Sequence, residues 1–188
     1  MLFLKKLASV VVLLWTIGSM TTVCGTLALQ NTPEEILIHD QSFVPHELVQ
    51  EFLTWISNNS RYAILPHRVV NIRFANQAFI TAEWIRNGGD PNTEAWALTT
   101  TDIHTREIII YIPLSFDINN HRHRTLFLHE LVHFQQYSYY ADYNVDCSAD
   151  LEWEAYYLAL TWFIEQNIED EHFRKDRLAK LDSYADCS

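Results

Sequence analysis

The 188-residue sequence contains no internal repeat, no coiled-coil heptad and no low-complexity tract. Solenoids, rods and compositionally biased tethers are thereby excluded. Positive charge is scarce: 13 Lys and Arg stand against 24 Asp and Glu, a formal net charge of −11. So acidic a chain is poorly suited to nucleic acid or an anionic membrane as a partner. Cysteine is scarce too, with three in all, and the apolar run over residues 7–20 is shorter than the roughly 20 residues a membrane-spanning helix needs. Hydrophobic residues make up 48% of the chain, enough for one domain with a real core but not for two.

Residues 1–28 have the pattern of an export signal. Lys5 and Lys6 give a positive start, the uncharged apolar run follows, and Thr26-Leu27-Ala28 supplies a cleavage site with small outer residues. An uncleaved anchor is the alternative reading. Lipidation at Cys24 is disfavoured because Thr21-Thr22-Val23 lacks the small residue expected beside a lipidated cysteine. The segment holds two of the basic residues and none of the acidic ones, so its removal makes the net charge about −13. It also leaves Cys147 and Cys187, an even pair that reads as a disulfide in an oxidising compartment. The expected protein is therefore periplasmic or extracellular, without stable membrane association once the signal is gone. Residues 29–188 form its single domain.

Apolar spacing then predicts the elements. Pro45 opens a helix through about residue 58, with Leu48, Phe52, Trp55 and Ile56 on one stripe. Residues 68–74 read as a strand, 77–85 as a short helix, and 87–91 as a turn cluster. Strands are expected over 95–101 and 106–113 around a turn at 102–105. The second is dense in isoleucine, as a strand buried on at least one face would be. Three helices follow, over about 123–138, 148–166 and 170–181, with Ser148 the expected N-cap of the second. This order favours an α+β layer architecture.

The chemistry is concentrated in His129-Glu130-Leu131-Val132-His133. Residues four apart on a helix stand one turn above each other, so His129 and His133 can direct both imidazoles at one metal ion. This is the HExxH pattern, in which the histidines bind zinc and the glutamate is the general base. Phe127, Leu128, Leu131 and Phe134 mark a buried face and leave the histidines another side of the helix. The bland alternative is a pair of solvated or hydrogen-bonded surface histidines.

A catalytic zinc takes three protein ligands and keeps one open position. Glu152 and Glu154 compete for the third place. Two residues apart, they lie about 200° apart on a helix and cannot both face one ion. Ala155, Tyr156 and Ala159 share the face of Glu152, and the small alanines allow close helix packing, so Glu152 is preferred and Glu154 kept as the fallback.

His129-Glu130-x-x-His133 followed by Glu152-x-x-Ala155 resembles the gluzincin group of zinc metallopeptidases, over roughly residues 108–159. The resemblance implies a zincin-like fold: a small mixed or antiparallel sheet packed on an active-site helix and a following ligand helix. It implies one catalytic Zn2+ held by His129, His133 and Glu152, with Glu130 as the catalytic base. It also implies a peptide or protein substrate, paired in extended form with an exposed strand, for which residues 106–113 are the candidate. Zinc would polarise the scissile carbonyl, and Glu130 would move a proton from water to the leaving amine. Many gluzincins carry an aspartate four residues after the ligand glutamate, where this chain has Tyr156, so the motif does not supply the acceptor that usually orients a zinc histidine. For an oxyanion donor the sequence offers Tyr137, Tyr140, Tyr143, Tyr156, His121 and His123 without selecting among them. Two other functional classes stay open: an inactive zinc-containing peptide-binding module, and a metal-free secreted interaction protein.

Overall fold

Alternate residues of one short strand hold the molecule's two apolar clusters, and the rest of the fold is arranged around it. The computed structural model describes residues 44–65, 68–102, 104–140 and 148–184. The elements are, in chain order, α1 (His46–Asn59), β1 (Asn71–Ala75), α2 (Gln77–Arg86), β2 (Leu98–Thr101), β3 (Ile108–Pro113), α3 (His121–Tyr139), α4 (Ser148–Glu165) and α5 (Glu171–Ser183). The class is α+β, with a three-stranded mixed sheet in the order β1-β3-β2. Residues 1–28, read from the sequence as an export signal, and the cysteines Cys147 and Cys187 lie outside the described residues.

Strand β3 has the sequence IIIYIP, and all six residues are buried. It pairs parallel with β1 and antiparallel with β2. Side chains alternate across a strand. Ile108, Ile110 and Ile112 thus join Phe52, Phe127 and Leu131 in the main core, while Ile109 and Tyr111 join Ala75, Ile80 and Leu98 in a second cluster. Helices α1 and α3 cover the first face and α2 the second. A strand buried on both faces reads as a continuous apolar run, which accounts for the isoleucines.

This placement overturns one expectation. Residues 106–113 do not provide the exposed edge for a peptide, because β3 is the central strand and both its edges are taken. The edge strand beside α3 is β2. A hairpin connects β2 to β3: Asp102 accepts from the backbone N–H groups of His104 and Thr105, each at 2.8 Å, and Arg106 takes a positive φ of 62° to re-enter the sheet.

Helix α3 starts at His121, two residues before its apolar pattern suggests. Asn120 caps it, accepting from the Arg122 N–H at 2.9 Å and the His123 N–H at 3.4 Å. Its buried side chains Phe127, Leu128 and Leu131 each contribute roughly 1.5–3 kcal/mol by leaving water. Helix α4 packs along it through Ala155 and Ala159, both buried, where larger side chains would hold the two backbones apart.

Candidate metal centre

Close approach of α3 and α4 brings three ligand-type side chains to one point. The Nε2 atoms of His129 and His133 are 3.0 Å apart. Glu152 offers Oε2 at 3.5 Å from His129 Nε2 and Oε1 at 3.4 Å from His133 Nε2. One ligand atom from each residue lies within 4.8 Å of the others. Separations of 3.0–3.5 Å among these atoms are short enough for a single metal ion to be held by all three residues. Both imidazoles turn Nε2 towards the carboxylate. His129 Nδ1, on the far side of its ring, is buried without a hydrogen-bond partner among the described residues.

The second ring nitrogen of His133 is held. Its Nδ1 lies 2.7 Å from Gln136 Oε1, one turn along α3, which fixes the ring and leaves Nε2 to face the centre. Gln136 is fixed in turn, donating through Nε2 to Leu151 O at 3.0 Å and to Glu154 Oε2 at 3.2 Å. The Tyr62 hydroxyl donates to the same Glu154 oxygen, and Arg61 approaches it at 3.4 Å. Glu154, the fallback ligand in the sequence, is therefore placed behind the histidines, buttressing the glutamine that holds one of them. Tyr156 sets its ring 4.4 Å from that of His129 in a tilted contact and does not act as the missing acceptor.

Electrostatics follow from the crowding. Burial works against charge on His133, but the Glu152 carboxylate and its hydrogen bond, with the charge of Glu130 and the contact to Gln136, raise the imidazole to about 9. Burial likewise opposes ionisation of Glu152, yet His133 and the hydrogen bonds from both histidines hold the carboxyl well below its usual range.

Glu130 lies beside these ligands and is steadied from the sheet. Thr99 pairs in register with Ile110, so it shares the sheet face that α3 covers. Its hydroxyl lies 2.7 Å from Glu130 Oε2 and 3.0 Å from the Glu130 backbone carbonyl. A cleft of about 360 Å³ opens over Glu130 and the three ligand-type residues, with Trp96 and Thr99 from the β2 side and Arg177 and Lys180 from α5.

Of the oxyanion-donor candidates, only Tyr137 and Tyr156 line this cleft among the described residues. Burial, reinforced by Glu152 and Glu130, pushes the Tyr137 phenol up to about 12. Burial also raises Tyr156, against the opposing charge of Arg177. Both phenols remain protonated donors near neutral pH. His121 is engaged with Asp170 at 3.0 Å, His123 accepts from the Asp117 N–H at 2.9 Å, and Tyr140 packs near Tyr62. Tyr143 lies outside the described residues.

Sequence reasoning missed Thr99 and Gln136. The three-residue spacing of His133 and Gln136 is a helical neighbour relation and was available as a signal. Nothing local marks Thr99, whose role depends on the register of β2.

The sequence matches a family described as a domain of unknown function, DUF6647, over residues 41–174. The chain belongs to this family. The match spans His129, Glu130, His133 and Glu152 together with Thr99 and Gln136, and ends before Arg177 and Lys180. No curated protein and no solved structure matches the chain.

Proposed function

We propose that this chain is a small zinc metallopeptidase of gluzincin type with a zincin-like arrangement of sheet, active-site helix and ligand helix. The observation that carries the reading is the convergence of His129 Nε2, His133 Nε2 and the Glu152 carboxylate beside a separately held Glu130. A purely structural site gains nothing from such a base and usually closes its fourth position with a protein ligand.

His129, His133 and Glu152 would hold the ion. Bound zinc supplies Lewis acidity, which polarises a carbonyl and makes a water easier to deprotonate. Glu130 performs the proton transfers. With Thr99 holding its Oε2, the carboxylate takes the proton from water and later delivers it to the leaving amine nitrogen. Tyr137 and Tyr156 keep their hydroxyl protons and can donate to the oxygen that gains charge in the transition state. Strand β2, at the sheet edge on the same side as Glu130, is the element with which an extended peptide can pair. The export signal read in residues 1–28 puts the reaction in the periplasm or outside the cell.

The test is metal analysis of the purified chain followed by hydrolysis of a mixed peptide library. We expect one zinc per chain and measurable turnover, with Glu130→Gln retaining zinc and losing turnover. Zinc content should fall in Glu152→Ala more than in Glu154→Ala, because only Glu152 reaches both histidines. A chain that binds no zinc rejects the reading. A chain that binds zinc and peptides but cuts none is the inactive module instead.

A further inference from the structure

Helix α5 brings two cations to the cleft of an acidic chain. Arg177 and Lys180 are three residues apart, hence on one face of α5, and both line the same cleft as His129, His133 and Glu152. Their neighbours Arg174 and Lys175 are engaged elsewhere, both with Glu171. Lys180 has no carboxylate partner among the described residues.

Arg177 is positioned rather than merely near. Its guanidinium carbon lies 5.4 Å from the Tyr156 ring centre and 5.1 Å from that of Phe173. The side chain is only 15% exposed. A guanidinium held on aromatic rings loses little freedom on gripping a carboxylate. Asp176 occupies two of its five N–H donors, both on Oδ2, at 3.1 Å from Nε and 2.5 Å from a terminal nitrogen. The Asp176 side chain is itself 49% exposed, so water weakens that pair. The Tyr156 ring lies 4.4 Å from the His129 ring, so the guanidinium is no more than about 10 Å from a metal-facing histidine. Extended peptide covers that distance in about three residues. The acidic residues of the cleft are Glu130 and Glu152 at its floor and Glu94 from the segment before β2, so α5 is its cationic side.

We propose that Arg177 and Lys180 form a carboxylate-binding subsite, selecting peptides that carry an acidic side chain or a free C-terminus within about three residues of the bond cleaved. This rests on the peptidase reading of the cleft, but its test does not require hydrolysis. Binding of three fluorescent hexapeptides is measured by anisotropy on the zinc-loaded Glu130→Gln chain, so that none is consumed. One peptide is neutral and amidated, one is the same with a single glutamate, and one is neutral with a free C-terminus. A carboxylate-bearing peptide is expected to bind about tenfold more tightly than the neutral one, as a charge-assisted contact to both cations would give. Which of the two is preferred identifies the source of the carboxylate.

Lys180→Gln is expected to lower that preference several-fold with little effect on the neutral peptide, and Arg177→Gln to abolish most of it. Arg177→Lys, which keeps the charge, should retain part. Lys180→Gln decides the matter if loss of the Tyr156 and Phe173 contacts unsettles the fold of the Arg177 variants. Equal binding of all three peptides overturns the subsite, as does a Lys180→Gln effect that is the same for charged and neutral peptides. Selective binding without any cleavage by the unmutated chain would instead overturn the hydrolytic reading and leave the subsite standing.

Discussion

The hydroxyl of Thr99 lies 2.7 Å from Glu130 Oε2, joining an edge strand to an acidic residue of helix α3 across 31 positions of sequence. The same hydroxyl lies 3.0 Å from the Glu130 backbone carbonyl, so its one proton is shared with, or alternates between, two oxygens of Glu130. Thr99→Val keeps the branched shape and removes the hydroxyl. A carboxylate that loses such a partner in a buried place costs roughly 1–3 kcal/mol. The expected outcome is a fall in kcat of about tenfold or more with zinc content unchanged, read by steady-state kinetics beside metal analysis.

Gln136 makes the corresponding prediction for the ion. Gln136→Leu removes the acceptor that orients His133, and at the same time strips Glu154 of a donor. Zinc affinity should drop about 10- to 100-fold, as measured by competition with a chromophoric chelator. Tyr62→Phe disturbs the same chain of contacts one step further out and should cost less.

The turn after α2 carries a steric constraint. A Cβ added at Gly89 would stand 2.0 Å from the Trp84 ring, and the preceding Gly88 already has a φ of +92°. Trp84 lines the cleft, so it cannot retreat without altering the site. Gly89→Ala is expected to destabilise the fold by about 1–3 kcal/mol in denaturant titrations.

Acid sensitivity should trace in part to Asp170. The Arg122 guanidinium, the His121 ring and the Phe173 N–H hold its carboxyl well below the usual range. A carboxyl depressed in the folded state stabilises it above the unfolded value of about 3.9, and that stabilisation is lost as pH falls. Denaturation midpoints should therefore decline below roughly pH 4. Asp170→Asn should flatten the decline, while lowering stability near neutrality through the loss of the ion pair with Arg122.

Much of the helical frame was legible in advance because apolar residues recur every three or four positions. Phe52 and Ile56 of α1, and Phe127, Leu128 and Leu131 of α3, fall on the expected faces. Residue type and helical spacing alone indicated that His129, His133 and Glu152 could meet. Strand order was not legible. The isoleucines of β3 suit a central strand as well as an edge strand packed on one side, and only pairing with β1 and β2 decides. Thr99 inherited that ambiguity, since a shift of one residue in register would turn its hydroxyl to the α2 face. Glu154 gained its place from Tyr62, 92 residues away, through a contact no local pattern encodes.

The candidate ligands come from two helices, and 19 positions of chain separate His133 from Glu152. An ion gripped from both sides would thus be a cross-link as well as a reactive centre. Rings of that size closed by a covalent bridge contribute on the order of 3 kcal/mol. A chain cut by a protease between α3 and α4 would hold its two pieces together more firmly while metal is bound. Metal supply would then govern how long the chain survives proteolysis as one piece.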